Sequence, residues 1–304
     1  MLIRQLEYLV ALAREEHFGR AATACHASQP ALSTGIRRLE RDLGVTLVHH
    51  GRRFAGFTAE GRRVLGWAHR ILAERDGMHA DLDGMRRGLS ATLRIGAIPT
   101  AMPVTALVTA PFATRHPLTT VRLEELPSTA IVARLGDYTL DVGLTYLDPD
   151  PPAGTRAVPL YREHYLLISP IGTVAADRAE IGWAEAVDRP LCTLNRLMRN
   201  RRIIEAAAAN EGASLRPTVE ADSVAGLYTY IATCGLSSIV AHTWLRTFGV
   251  PAGMCATRLT AFPVPPVGLI TSADEPLSLV AAAVIDALDV AALQRVLGVD
   301  QAAG

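Results

Sequence analysis

Gln29, Ser33 and Arg37 follow one another at four-residue spacing, which stacks their side chains on one face of a helix. A Gln amide can read an adenine edge, a Ser hydroxyl can reach a base or a phosphate, and an Arg guanidinium can take guanine or phosphate. Leu32, Ile36 and Leu39 fall at i, i+4 and i+7 on the other side and should face a core. Ser28 is a good N-cap, and Pro30 lies in the first turn, where its missing N–H costs nothing. The chemistry this suggests is reading double-stranded DNA. The candidate contact set is Ser28, Gln29, Pro30, Ser33, Thr34 and Arg37, with Arg52 and Arg53 gripping the phosphate backbone from the tip of a neighbouring hairpin.

Positioning these residues takes several elements. Leu6, Leu9, Val10, Leu12 and Ala13 keep one apolar face through a first helix that must end near Gly19. Ala21, Ala22 and Ala24 make a short second helix whose small side chains allow close approach, and His26-Ala27 is the tight turn before Ser28. Two helices joined this way, the second polar on its outer face, fit a helix-turn-helix. Gly44 stops the second helix, and "VTLVHHGRRFAGFT" predicts two short strands around a Gly-Arg-Arg turn. From Ala59 a long helix runs without an early stop. Val64, Ile71, Met78 and Met85 recur every seven residues, with Ala68, Leu82 and Leu89 in the second seam and Arg75 interrupting it, a coiled-coil pairing pattern. Beyond Ser90 strand-like and helix-like runs alternate as in βα units, from "TLRIGAI" to a closing helix "PLSLVAAAVIDALDVAALQRVL".

The 304 residues hold 30 basic and 30 acidic side chains, and every basic one is Arg. Residues 1–89 carry 14 Arg against 10 acids, leaving 16 against 20 in the remainder, so the small positive excess sits with the two short helices. No stretch of about 18 apolar residues predicts a membrane span, and "MLIRQLEYLVALAREEHFG" has no signal-peptide organisation. The expectation is a cytoplasmic protein away from membranes. Cys25, Cys192, Cys234 and Cys255 form no CxxC pair and are expected as reduced, mostly buried thiols. His49 and His50 point to opposite faces of a strand, no other His pair has ligand spacing, and no GxSxG, P-loop or HExxH occurs. No metal, cofactor or catalytic residue is expected.

"FGRAATACHASQPALSTGIRRLERDLGVTL…FTAEG", a heptad helix and then "LRIGAI" together resemble a LysR-type bacterial transcriptional regulator. The resemblance extends over the chain: "LGDYTLDVGL", "LYREHYLLI" and "IATCGLSSIV" are similar to later elements of that family. Some residues depart from it. Cys25 replaces Leu, Val48 and His50 replace Phe and Arg, and Ser237 and Ala241 replace Gly and Pro. The resemblance implies an α/β chain in three parts: a winged helix-turn-helix (1–58), a linker and dimerisation helix (59–89), and a two-lobed α/β effector-binding domain like a periplasmic binding protein (90–304). Lobe I would be about 90–162 with 267–304, and lobe II about 163–266.

It further implies a homodimer or homotetramer on a dyad-related operator, contact with RNA polymerase, and a small-molecule effector in the cleft between lobes. Helix N-termini there suit an anion such as a small carboxylate. The expected cleft residues are Pro99, Thr100 and Ala101 after the first effector strand, Ser128 and Thr129 opening the next helix, Thr145 ending the third strand, and Asn195, Arg199 and Asn200 from the opposite lobe. Arg201 and Arg202 are expected on a solvated helix face. "NRRIIEAA" bears a fainter resemblance to the branch controlling formate and one-carbon metabolism. A secreted solute-binding protein would need a signal segment, and an enzyme using Cys and His would need a thiolate beside an imidazole.

Overall fold

The structure is a computed structural model describing residues 2–49, 54–87, 89–148, 151–174, 178–273 and 277–297, with the backbone alone over 80–87. The chain divides into two units, one centred on residues 1–90 and one on 91–304.

In the first unit α1 (Ile3–Glu15), α2 (Phe18–Ala24) and α3 (Gln29–Leu43) surround a core of Leu6, Leu9, Leu12, Ala21, Ala22, Leu32, Ile36 and Leu39. The first helix ends earlier than Gly19. Glu16 adopts a left-handed conformation, and the His17 ring accepts the N–H groups of Gly19 and Arg20, so His17 caps a new helix where the sequence suggested continuation. α3 starts as expected, with Ser28 Oγ accepting the Ala31 N–H at 3.3 Å, and stops at Gly44 with φ 71°. A side chain at Gly35 would meet the Tyr8 ring at 2.5 Å, so α1 and α3 pack this closely only because that residue is glycine.

Glu40 explains part of the Leu-Glu-x-x-Leu-Gly pattern. Its Oε1 accepts the N–H groups of Leu47 and Val48 at 2.8 and 3.2 Å, tying the end of α3 to the start of the hairpin. Val48 bridges Phe57, and the His49 N–H donates to the Gly56 carbonyl at 3.0 Å. His50, Arg52 and Arg53 lie outside the described residues. Thr58 donates to the Thr46 carbonyl at 2.7 Å and accepts the Gly61 N–H at 2.9 Å, which starts α4 (Ala59–Arg87). A Cβ at Gly61 would lie 1.9 Å from the Leu47 carbonyl oxygen, which accounts physically for Thr-x-x-Gly.

The early heptad positions of α4 are not left bare. Ala68 is buried in the N-terminal core, Val64 and Ile71 pack against it, and Arg75 forms an ion pair with Glu7 of α1. The interrupting Arg75 thus belongs to intrachain packing. Trp67 and Met78 are each 56% exposed.

The second unit contains β1 (Thr92–Ala97), α5 (Thr105–Arg115), β2 (Thr120–Glu125), α6 (Ser128–Gly136), β3 (Val142–Tyr146), β4 (Thr155–Arg162), β5 (Tyr165–Pro170), β6 (Glu180–Ile181), α7 (Trp183–Val187), β7 (Cys192–Leu194), α8 (Arg199–Asn210), β8 (Val219–Ala221), α9 (Val224–Cys234), β9 (Ser238–Ala241), α10 (Trp244–Thr247), β10 (Met254–Leu259), β11 (Pro266–Ser272), α11 (Leu279–Ala287) and α12 (Val290–Leu297). One mixed sheet has the order β2-β1-β3-β11-β4, with β1, β2 and β3 parallel and β11 antiparallel to both neighbours. A second has the order β6-β10-β5-β9, beside the parallel pair β7-β8. The chain passes from the first sheet to the second at Glu163-His164 and returns before Pro266, so there are two lobes with paired crossovers. The closing helix is two helices. Asp289 accepts the Ala292 N–H at 2.8 Å and caps α12 after α11 has ended, a competition that apolar periodicity does not reveal.

Candidate functional site

On α3 the outer side carries the residues expected to contact DNA: Ser28, Gln29, Pro30, Thr34 and Arg37 are exposed and Ser33 is half-buried, while Leu32, Ile36 and Leu39 are buried. The helix presents to solvent what its period of 3.6 predicts.

In the second unit the expected cleft residues separate into groups. Pro99, Thr100 and Asn200 line one cavity of about 20 Å³ together with Thr243, Pro103, Leu194, Val224, Leu227 and Trp244. Arg199 lines a different, open groove of about 660 Å³, with Arg162, Arg202, Asp148, Leu147, Ile203, Phe262 and residues 263–266. Ala101, Ser128, Thr129, Thr145 and Asn195 line neither. Thr129 is exposed, while the hydroxyl oxygens of Ser128 and Thr145 are buried and accept or donate no hydrogen bond. Asn195 uses its side chain locally, donating to Asp222 and accepting the Leu197 N–H at 2.8 Å.

Glu163, at the first crossover, was missed in the sequence. Its Oε2 accepts the hydroxyls of Tyr146 at 2.7 Å and Tyr165 at 2.9 Å. The Thr100 hydroxyl lies 3.2 Å from Tyr146 Oη, and Asn200 donates to Tyr165 Oη at 3.0 Å. Across the lobes, the Thr243 hydroxyl donates to the Thr100 carbonyl at 2.8 Å. Burial holds the Glu163 carboxyl above its ordinary range despite these donors, and pushes Tyr146, Tyr161 and Tyr165 well up. Glu163 Oε1 and Tyr161 Oη are buried without a hydrogen-bond partner. Beside them His164 and His242 stack at 4.0 Å, and burial lowers His242 to about 4. The available signal was strand alternation: Tyr161, Glu163 and Tyr165 are buried while Arg162 and His164 between them are exposed.

In the groove, Arg199 pairs with Asp148 and lies over the Tyr146 ring, Arg162 donates to the Val264 carbonyl at 2.9 Å, and Arg202 is exposed. Three guanidinium groups therefore meet one carboxylate, a surplus that favours an anion. Arg201 is not on a solvated face. It is 1% exposed and donates to Thr193, the Leu194 carbonyl, Glu205 and Glu220, because α8 lies over the β7-β8 pair and its inward cation needs those acceptors. Among the cysteines, burial raises Cys192 to about 11, Cys25 is also raised, Cys234 is exposed, and Cys255 is half-buried against the Ser169 carbonyl. None lines the cavity or the groove.

A helix-turn-helix with a polar outer helix, and a two-lobed α/β domain with a lined groove, define a ligand-binding transcription regulator. Comparison with known proteins gives the family. The pattern of the bacterial regulatory helix-turn-helix proteins of the lysR family matches residues 3–62, and that of the LysR substrate binding domain matches residues 86–292. The chain belongs to the LysR family, as a DNA-binding transcription regulator with a substrate-binding domain, and not to an enzyme family. It is 37% identical over 168 residues to the probable hydrogen peroxide-inducible genes activator of Mycobacterium xenopi, covering 55% of this chain and 88% of that protein. The same identity holds over 168 residues of the DNA-binding transcriptional dual regulator OxyR of Escherichia coli (strain K12), a match spanning only 55% of each chain. A full-length OxyR variant from Pseudomonas aeruginosa shares the fold with TM-score 0.73 at 25% identity, over 97% of this chain and 95% of that one. CbnR, a LysR family transcriptional regulator, gives TM-score 0.67 at 22% identity, over 96% and 99% of the two chains. Among the described residues no helix is long and apolar enough to cross a membrane.

Proposed function

We propose that this regulator responds to a small anionic metabolite held between the lobes of its substrate-binding domain. The observation that carries the reading is the groove of about 660 Å³ in which Arg162, Arg199 and Arg202 outnumber Asp148. That volume is ordinary for a metabolite of several carbons and argues against a one-carbon anion. Pro99, Thr100 and Asn200, in the adjoining cavity, supply its inner polar contacts. Effector binding changes lobe closure, and through it the spacing of paired DNA-binding units. Two copies joined through α4 place two α3 helices about one DNA turn apart on a dyad-related operator, with Ser28, Gln29, Pro30, Ser33, Thr34 and Arg37 at the major groove and Arg52 and Arg53 on the backbone. Assembly of dimers into a tetramer and contact with RNA polymerase complete the proposal.

The names of the curated relatives raise a peroxide response. The cysteines give it no support here, since no thiol lines the groove or the cavity and Cys192 is held protonated by burial.

The test is a calorimetric and thermal-shift panel of small carboxylates and inorganic anions on the full chain, with Arg202→Ala alongside. A specific ligand at 100 times its dissociation constant adds about 2.7 kcal/mol to native stability. Failure of every anion, or binding indifferent to Arg202→Ala, would retire the anion. On DNA, Arg37→Ala should cost about 1 to 3 kcal/mol of operator binding and relax the sequence preference, whereas Arg52→Ala with Arg53→Ala should lower affinity for all sequences and flatten the salt dependence by about two counterions. Unchanged operator affinity in both variants would remove these roles.

A further inference from the structure

Glu7 of α1 stands where the helices of the first unit are tied together by charge. Its Oε2 accepts a hydrogen bond from Arg4 at 3.0 Å, and its Oε1 pairs with Arg75 of α4. Arg4 donates in turn to the Cys25 carbonyl and lies over the Tyr8 ring, 5.3 Å from its centroid. Both of these contacts lead to α3. Cys25 closes α2, and a single left-handed residue, His26 with φ 50°, stands in the turn that sets where α3 begins. The Tyr8 ring is the one that Gly35 of α3 admits at close range. A line of contacts therefore runs from α3 through Arg4 and Glu7 to Arg75. Burial alone would raise the Glu7 carboxyl, but its hydrogen bonds to Arg75 and Arg4 hold it below its ordinary range, so the tie is ionic at neutral pH.

We propose that the Arg4–Glu7–Arg75 network fixes the angle at which α4 leaves the helix-turn-helix, and through that angle the spacing between the two half-sites of the operator. This rests on the dimer through α4 and on α3 at the major groove. The place of Arg75 on α4 is the first argument. Val64, Ala68, Ile71 and Leu72 hold α4 on the N-terminal core over about two turns. Leu72 is the last of them, and beyond Arg75 the side chains of Asp76, Met78 and His79 are exposed. Arg75 thus sits at the exit of the helix, where a small rotation is carried furthest. The second argument is directionality. Apolar burial opposes separation of α4 from α1 but is indifferent to a small slide or rotation, whereas a charge-assisted hydrogen bond favours one length and one direction. Magnitude separates this role from a stabilising one. Arg75 and Glu7 are 27% and 25% exposed, so the pair adds little to folding. A dimer uses it twice, and if each copy is worth up to about a fivefold factor, two copies bound its contribution to spacing selectivity at roughly thirtyfold. The heptad pattern gives up one apolar seam position at Arg75 to keep this tie.

Glu7 and Arg75 are positioning residues, so the readout is spacing and not only affinity. The full chain is used to select from a pool of DNA duplexes with a long randomised core, alongside Arg75→Met, Glu7→Gln, the double variant and Arg75→Lys. Sequencing the bound DNA gives the half-site sequence and the distribution of half-site distances separately. The wild type should show one dominant spacing. Arg75→Met should keep the half-site sequence but recover spacings one base pair longer or shorter about tenfold more often, within the bound set by two exposed pairs. Glu7→Gln, which keeps the shape and removes the charge, should move the same way. The double variant should go no further than Arg75→Met, because both changes remove one contact, and Arg75→Lys, which keeps the charge, should stay near the wild type. Thermal unfolding should leave every variant near the wild-type melting temperature, and light scattering should leave Arg75→Met at the wild-type mass, since methionine suits an apolar seam. Paired half-sites whose spacing is as sharp in Arg75→Met and Glu7→Gln as in the wild type overturn the proposal and leave the dimer standing. Additive effects in the double variant, or relaxed spacing accompanied by loss of mass, overturn it as well. A wild-type selection that returns single half-sites or no fixed spacing removes the paired-operator reading, and this proposal with it.

Discussion

Glu163 and His242 lie at the same crossover and are displaced from ordinary titration in opposite senses, so their effects on stability can be separated by pH. Burial keeps Glu163 protonated above its ordinary 4.5. As pH rises from there toward its raised value, the unfolded chain releases a proton that the folded chain retains, and stability falls. His242 is lowered from 6.5 to about 4, so as pH falls through that window the unfolded chain gains a proton the fold refuses, and stability again falls, now on the acid side. Urea denaturation between pH 4 and 8 should show Glu163→Gln losing the first slope and His242→Asn losing the second, the latter on the order of 3 kcal/mol across its window. Parallel curves for wild type and both variants would mean that neither proton is linked to folding. Arg201 carries a related lesson. Its position on α8 reads as surface, but Glu205, Glu220 and the end of β7 surround it, and no local pattern announces that a helix will lie with its charge inward.

At the scale of elements, two glycines of α4 separate fold from propensity. Gly61 abuts the Leu47 carbonyl, whereas nothing lies within 4 Å of a Cβ at Gly66. Gly61→Ala should therefore destabilise the first unit by about 1 to 3 kcal/mol or more, and Gly66→Ala should stabilise the helix by about 1 kcal/mol. Equal effects measured by thermal unfolding would contradict the packing of α4 on the hairpin. α3 was legible from its cap, its period and its terminal glycine because all three are local. The short strands β6, β7, β8 and β10 were not, since segments of two to six residues stand only by pairing with distant partners, as Met254–Leu259 does with Tyr165–Pro170.

For the molecule as a whole, the dimer proposed through α4 predicts a separation of roles along that helix. Ala68 belongs to the chain's own core, while Met78 is exposed within one copy. Met78→Asp should shift light-scattering mass toward the monomer and weaken operator binding while leaving the melting of the first unit near its wild-type value; an unchanged mass would place the association elsewhere.

The sequence by itself determined the helix-turn-helix, the polar face of α3, the succession of βα units and the family, because each is written in spacing over a few residues or in one ordered set of motifs. Tertiary structure alone decided which cleft residues meet. Thr100 and Asn200 are 100 positions apart in sequence, and Glu163 between them joins the pair with the help of tyrosines carried on two different sheets. Hydrogen-bond direction is a property of the assembled network, since each hydroxyl's choice depends on where its neighbour's proton has gone.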